Sequence, residues 1–172
     1  PSISIPEDVI AEATGSEDNI IVLENSAAED KIGISSITND APESFPLGET
    51  VVTWTATDTS GNSVSDTQLV TVVDTTAPSI SIPEDVIAEA IGLGGNMVEL
   101  DLIIADDDIG VGSITNDAPT TFEFGTTIVS WTVSDYAGNT ATIQQNISLV
   151  DTTEPSIILP NDIEIEAVSN HS

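Results

Sequence analysis

The chain has 172 residues, with 30 Asp and Glu against a single basic residue, Lys31, for a formal charge of −29. Phosphate recognition needs Lys or Arg to displace counterions, so this balance excludes nucleic acid as a partner, and an anionic membrane surface with it. There is no Cys to form a disulfide, and no apolar run approaches the roughly 20 residues of a membrane span. What remains as partners are cations, water and positively charged surfaces.

The chain opens "PSISIPEDVIAEA" at Pro1, not at Met and with no leader pattern, which reads as a processed chain or a window of a longer one. Alternating apolar residues predict strands over Ile3–Ile5 and Val9–Ala13, then Asn19–Leu23, Ile32–Thr38, a short piece near Phe45, Thr50–Thr57 and Val64–Val73. In "TVVTWTAT", Val52, Trp54 and Ala56 fall on one face, and Thr53, Thr55 and Thr57 on the other. That period of two belongs to a half-buried antiparallel strand. Turn clusters "ATGSEDN", "TNDAPES" and "DTSGN" separate the strands. Everything then recurs 77 residues later: Pro78 follows Pro1, Trp131 follows Trp54, and "DYAGN" follows "DTSGN". About half of the aligned positions are identical and no insertion breaks the register. The reading is all-β: tandem immunoglobulin-like β-sandwich modules of about seven strands. Their spans are 1–77 and 78–154, and 155–172 holds the first strand or two of a third module, or a strand donated to another subunit.

These motifs resemble hyalin (HYR) repeats. That family carries D-T-T-x-P before an Ile/Val-rich first strand, A-x-D-N-x-G, and F-P-x-G-x-x-x-V-x-x-x-A-x-D-x-x-G-N. The counterparts here are Asp74-Thr75-Thr76-Ala77-Pro78, Ala105-Asp106-Asp107-Asp108-Ile109-Gly110, and Phe45-Pro46-Leu47-Gly48 through Val52, Ala56, Asp58, Gly61 and Asn62. The resemblance implies an immunoglobulin- or fibronectin-III-like sandwich on an extracellular protein, commonly linked to adhesion. Two departures stand out. Many animal members carry strand cysteines, and a Trp fills one such position here. The D-N pair reads Asp30-Lys31 in the first repeat and Asp107-Asp108 in the second.

In a seven-strand sandwich the loop between the second and third strands, the last hairpin and the chain entry share one end. For the second repeat this groups Asp74, Asp106, Asp107, Asp108, Asp135 and Asn139. Glu12 and Asp40 approach from the first repeat. Asp30, Asp58 and Asn62 are the first-repeat counterparts, and Asp151 is that of the next linker. Crowded carboxylates with no Lys or Arg among them call for a counter-charge, and Ca²⁺ suits an all-oxygen set better than zinc. Two plainer readings stand beside it: "DTSGN" and "DYAGN" are hairpin turns, and the acids are a solvated, salt-adapted surface. A short linker ending in proline makes a stiff joint, which a bound cation would lock.

Two sequons, at Asn146 and Asn170, offer glycosylation sites on an extracellular chain. Catalysis has no support: the one His, His171, is the penultimate residue, and there is no Cys nucleophile and no phosphate-cradling glycine loop with a Lys. The tryptophans belong to the core rather than to a sugar platform. The function expected is structural and not enzymatic: a calcium-stiffened tandem-repeat stalk, surface layer or filament, extracellular or at the cell surface. It would self-associate or meet neighbouring subunits, with strand donation as one route. A cell-adhesion or glycan- or protein-binding module, hinted at by Tyr136, and a spacer attached to an unseen enzyme are the alternatives.

Overall fold

The computed structural model describes residues 1–81, 83–159 and 162. The first repeat contains β1 (Ser2–Ser4), β2 (Val9–Glu12), β3 (Ala27–Glu29), β4 (Ile34–Asn39), β5 (Gly48–Asp58) and β6 (Ser63–Val73). The second contains β7 (Ser79–Ile80), β8 (Val86–Glu89), β9 (Ala105–Asp106), β10 (Val111–Asn116), β11 (Gly125–Asp135) and β12 (Thr140–Val150). Each repeat has a four-stranded sheet, β2-β6-β5-β4 or β8-β12-β11-β10, and a two-stranded one, β1-β3 or β7-β9. The described residues form an all-β, immunoglobulin-like architecture, as the alternation requires.

The first strand changes sheet at a proline. Ser2–Ser4 pairs with β3, while Val9–Glu12 runs parallel to β6. Pro6, lying between them, has no N–H to offer a ladder, so the chain leaves one sheet there and joins the other. The long hairpin β5–β6 is in register from Gly48↔Val72 to Thr57↔Ser63. Its inner face buries Val52, Trp54, Ala56, Val70 and Val72 around Phe45, and Val129, Trp131, Val133, Ile147 and Leu149 do the same around Phe122. Each Trp is anchored inside the core. Trp54 Nε1 donates to Gln68 Oε1 at 3.0 Å, and Gln68 Nε2 donates to the Glu7 carbonyl at 2.6 Å. The second repeat repeats this with Trp131, Gln145 and Glu84. A buried indole N–H and amide are costly unless paired, and here both are paired.

Three expectations differ from the structure. Asn19–Leu23 is no strand: only a bridge, Asn19↔Phe45, forms there. The Asn19 amide bonds the Thr14 N–H and the Gly15 and Phe45 carbonyls, so a side chain satisfies backbone groups that a ladder would have used. Ile21 and Leu23 still pack against the core, so the alternation chose the face without making a sheet. The partner of β1 is instead Ala27–Glu29, an Ala-rich stretch with no β-branched residue to announce it. The strand expected from Ile32 begins at Ile34, because Gly33 takes a φ of 125° that an extended strand does not.

The linker is held from below. Glu12, the last residue of β2, accepts bonds from the Thr75 N–H at 2.8 Å and from the Thr75 and Thr76 hydroxyls at 2.8 and 2.7 Å. Glu89 holds Thr152 and Thr153 the same way.

Candidate metal centre

The site lies where the linker meets the top of the second repeat. Three elements supply it. Asp74 follows β6; Asp107 follows β9; Asp135 ends β11. One oxygen from each lies within 4.8 Å of the others. Asn139, across the hairpin turn, ties the set together. Its Nδ2 donates to Asp135 Oδ2 at 2.8 Å, to the Asp74 carbonyl at 3.2 Å and to Asp74 Oδ2 at 3.3 Å.

Local chemistry fixes each carboxylate. Asp107 accepts the N–H groups of Ile109 and Gly110 at 2.9 and 3.2 Å, an Asx turn that fixes the side chain. Asp135 is only 5% exposed and accepts the Gly138 and Asn139 N–H groups at 2.6 and 2.9 Å. Gly138, at a φ of 95°, makes that tight turn possible. Burial works to raise the Asp135 carboxyl, but the bonds from Asn139, Gly138 and Ala137 outweigh it and hold the group below the usual range. Asp74 goes the other way. Burial pushes it up, and repulsion from Asp107, Asp135 and Glu12 adds to this against one bond from the Thr76 N–H. The linker carboxylate is therefore the one that most lacks a positive neighbour. The chain's single basic side chain, Lys31, lies in the other repeat.

The remaining candidates sit apart from this trio. Asp108 and Asp106 are exposed and, with Asp107 of the trio, line a cavity of about 170 Å³ beside Thr76 and Ala77. Glu12 is close enough to repel Asp74, but its oxygens are engaged by the two linker threonines. Asp40 caps the first repeat's sheet instead, accepting the Thr53 N–H at 2.6 Å. Asp151 accepts the Thr153 N–H at 3.0 Å at the far end of the second repeat. In the first repeat, Asp58 accepts the Ser60 and Asn62 N–H groups and the Asn62 amide. Asp30 there accepts the Ile32 N–H at 2.9 Å. Asn146 is exposed, as a glycan acceptor must be, and its amide bonds Asp85 at 3.0 Å. Asn170 lies outside the described residues, as does most of the segment expected to donate a strand; Pro155–Leu159 is exposed and in no strand.

Sequence reasoning missed one residue at the seam. Ile109, between Asp107 and Gly110, is 8% exposed and joins the core cluster of the first repeat, not that of its own. It is an apolar knob across the joint, and alternation carries no signal for it because it sits in a turn.

Residues 1–72 match the family model described as the HYR domain. Hyalin from Lytechinus variegatus is 40% identical over 74% of this chain, and hyalin from Strongylocentrotus purpuratus 36% over 73%. The chain spans only 26% and 11% of the length of those two proteins. A rat protein with sushi, von Willebrand factor type A, EGF and pentraxin domains is 31% identical over 86% of the chain, which spans 4% of it. Among solved structures, fibronectin(III)-like modules of Clostridium thermocellum CbhA superpose with a TM-score of 0.34 at 12% identity, covering 92% of this chain and 100% of theirs. That superposition is too loose to argue from.

Proposed function

Because this chain belongs to the HYR domain family of extracellular, adhesion-type repeats, we propose that it serves as a calcium-stiffened segment of a tandem-repeat stalk, surface layer or filament. The observation that carries this reading is the convergence of Asp74, Asp107 and Asp135 at the joint, with no basic side chain to neutralise them. Linker, early loop and hairpin each give one carboxylate, so a cation bound there would tie three segments together. Six to eight oxygens are the usual demand of Ca²⁺. One oxygen of each carboxylate, the Asp74 carbonyl, the Asn139 side-chain oxygen and solvent are the supply. Asn139, which now points its N–H group at Asp74 and Asp135, would turn its amide over to coordinate. Self-association, by a donated strand or through the ends of the rod, belongs to the same reading.

Thermal unfolding with Ca²⁺ and with a chelator tests it. At about 100-fold excess over Kd, the folded state gains about 2.7 kcal/mol, a rise in midpoint of roughly 10–20 °C for a repeat of this size. The response should weaken in acid. The folded-state pKa of Asp74 is raised, so the proton is held more tightly by the folded chain and competes with the cation as pH falls. An unchanged midpoint in Ca²⁺ leaves only a solvated acidic surface.

A further inference from the structure

The triplet Asn146-Ile147-Ser148 lies in β12, which has β11 on one side and β8 on the other. Its side chains alternate. Gln145, Ile147 and Leu149 are buried, so Asn146 and Ser148 stand on the outer face of the sheet. The register agrees. Asn146 is opposite Ile128 on β11, and Ser148 lies between Thr126 on β11 and Ile87 on β8. The hydroxyls of Ser148 and Thr126 share a hydrogen bond at 3.1 Å. Ile128 and Ile87 are 56% and 75% exposed, large apolar side chains on a face turned to solvent.

The first repeat lacks such a triplet for want of one residue. Leu69 takes the place of Asn146, followed by Val70 and Thr71, whose hydroxyl would serve as well as a serine's. Ile10 and Val51 take the places of Ile87 and Ile128. Asp8 and Asp85 act alike: each accepts a strand N–H, from Leu69 at 2.8 Å and from Asn146 at 2.9 Å. Only the second repeat adds a side-chain bond, from Asn146 Nδ2 to Asp85 Oδ2 at 3.0 Å. An asparagine amide has two N–H donors. One serves Asp85, and the other is left for substitution.

We propose that Asn146 carries an N-linked oligosaccharide whose first sugars lie over Ile128 and Ile87. The bond formed joins Nδ2 to the anomeric carbon of the first sugar. The donor is a lipid-linked oligosaccharyl diphosphate: its anomeric C–O bond breaks, the lipid diphosphate leaves, and Nδ2 gives up one proton. The other N–H stays on the amide, so the bond to Asp85 survives the modification. The fold also sets the order of events. The triplet is paired on both flanks, through Asn146↔Ile128 with β11 and Ile147↔Val86 with β8. A transferase must reach it unpaired, so the sugar is added before the sheet closes. Sugar rings have apolar C–H faces, and directly opposed residues such as Asn146 and Ile128 hold their Cβ atoms about 5 Å apart. A bulky, solubilising group suits an extracellular HYR chain, and nothing in this depends on a cation at the joint.

Secretion of the chain from a eukaryotic culture tests it, with mass spectrometry of the peptide that contains Asn146. An amidase that removes N-linked sugars in heavy-oxygen water should leave a labelled Asp at that position. Ser148→Ala should abolish the label while keeping the Asn146–Asp85 bond, and Ser148→Thr should retain it. Asn146→Leu, which copies the first repeat, should match wild type in circular dichroism and carry no sugar there. An apolar dye should bind the Ser148→Ala chain more than the glycosylated one. Adding Ile128→Thr to Ser148→Ala should bring that binding back down. A wild-type chain secreted with Asn146 bare, or a label that persists in Ser148→Ala, would overturn the modification site. Equal dye binding by the glycosylated and bare chains would remove the covering of Ile128 and Ile87.

Discussion

The tops of the two repeats carry the same acid-amide set in different company. Asp107, Asp135 and Asn139 receive a third carboxylate from the linker, and the group delivered, Asp74, is pushed up by burial and by its neighbours. Asp30, Asp58 and Asn62 organise their own turns, and the Ile32 N–H holds the Asp30 carboxyl down. The hairpin chemistry is identical, because Asp58 and Asp135 both organise their own turns. What the second repeat shows in addition is an aspartate that the linker lays over its set. A "D-x-x-G-N" hairpin is therefore a turn by itself, and the proposed cation site needs a linker aspartate laid over it.

The comparison breaks most sharply on the metal. Asp107→Asn should abolish the calcium-dependent rise in midpoint, roughly 10–20 °C, while Asp30→Asn leaves it intact; equal losses in calorimetry would show that the repeats do not differ. Second in size, Gln145→Leu and Gln68→Leu should each cost about 2 kcal/mol in urea unfolding, because each strands an indole N–H and a backbone carbonyl in the core. Equal costs would show that the two cores are the same object beneath dissimilar tops. A smaller effect comes from a flaw confined to the first repeat. The Ser26 hydroxyl is buried without a partner where the second repeat buries Ile103. Ser26→Val should stabilise the first repeat by about 1 kcal/mol and leave the second unchanged.

The smallest effect is in acid. Thr76, Thr75 and their N–H groups bring the Glu12 carboxyl down to about 2 from an ordinary 4.5. Its contribution to folding is complete above pH 4.5 and is lost as pH falls toward about 2. Glu12→Gln should flatten the stability curve in that window by up to one proton, and a curve as steep as wild type would mean that the threonines do not hold the carboxylate.

Much of this was legible before any coordinates. Val52, Trp54 and Ala56 gave away the inner face of β5, because a pleated strand has a period no other element shares. The 77-residue repeat carried every assignment to the second half. Asp74, Asp107, Asp135 and Asn139 could be grouped because a sandwich sends those loops to one end. Glu12 was harder. Composition marks it as one acid among many, and only the fold places it under two threonine hydroxyls. The segment from Asn19 was misread for a related reason: its alternation is genuine, but one buried amide takes over the bonds that would have joined it to a sheet. Ile109 left no pattern at all, since a contact between repeats obeys neither period.

The parallel pairing of β2 with β6 has a mechanical consequence. The chain enters each repeat through β1 and β2 and leaves it through β6, so these neighbouring strands carry the two ends of the load in opposite directions. A pull on the two ends of a repeat strains the four paired positions from Val9↔Val70 to Glu12↔Val73 together, in shear, rather than peeling them one at a time. Glu12, at the end of that patch, also grips the threonines of the outgoing linker. Tension that reaches the linker is thus shared with the incoming strand before the long hairpin feels it.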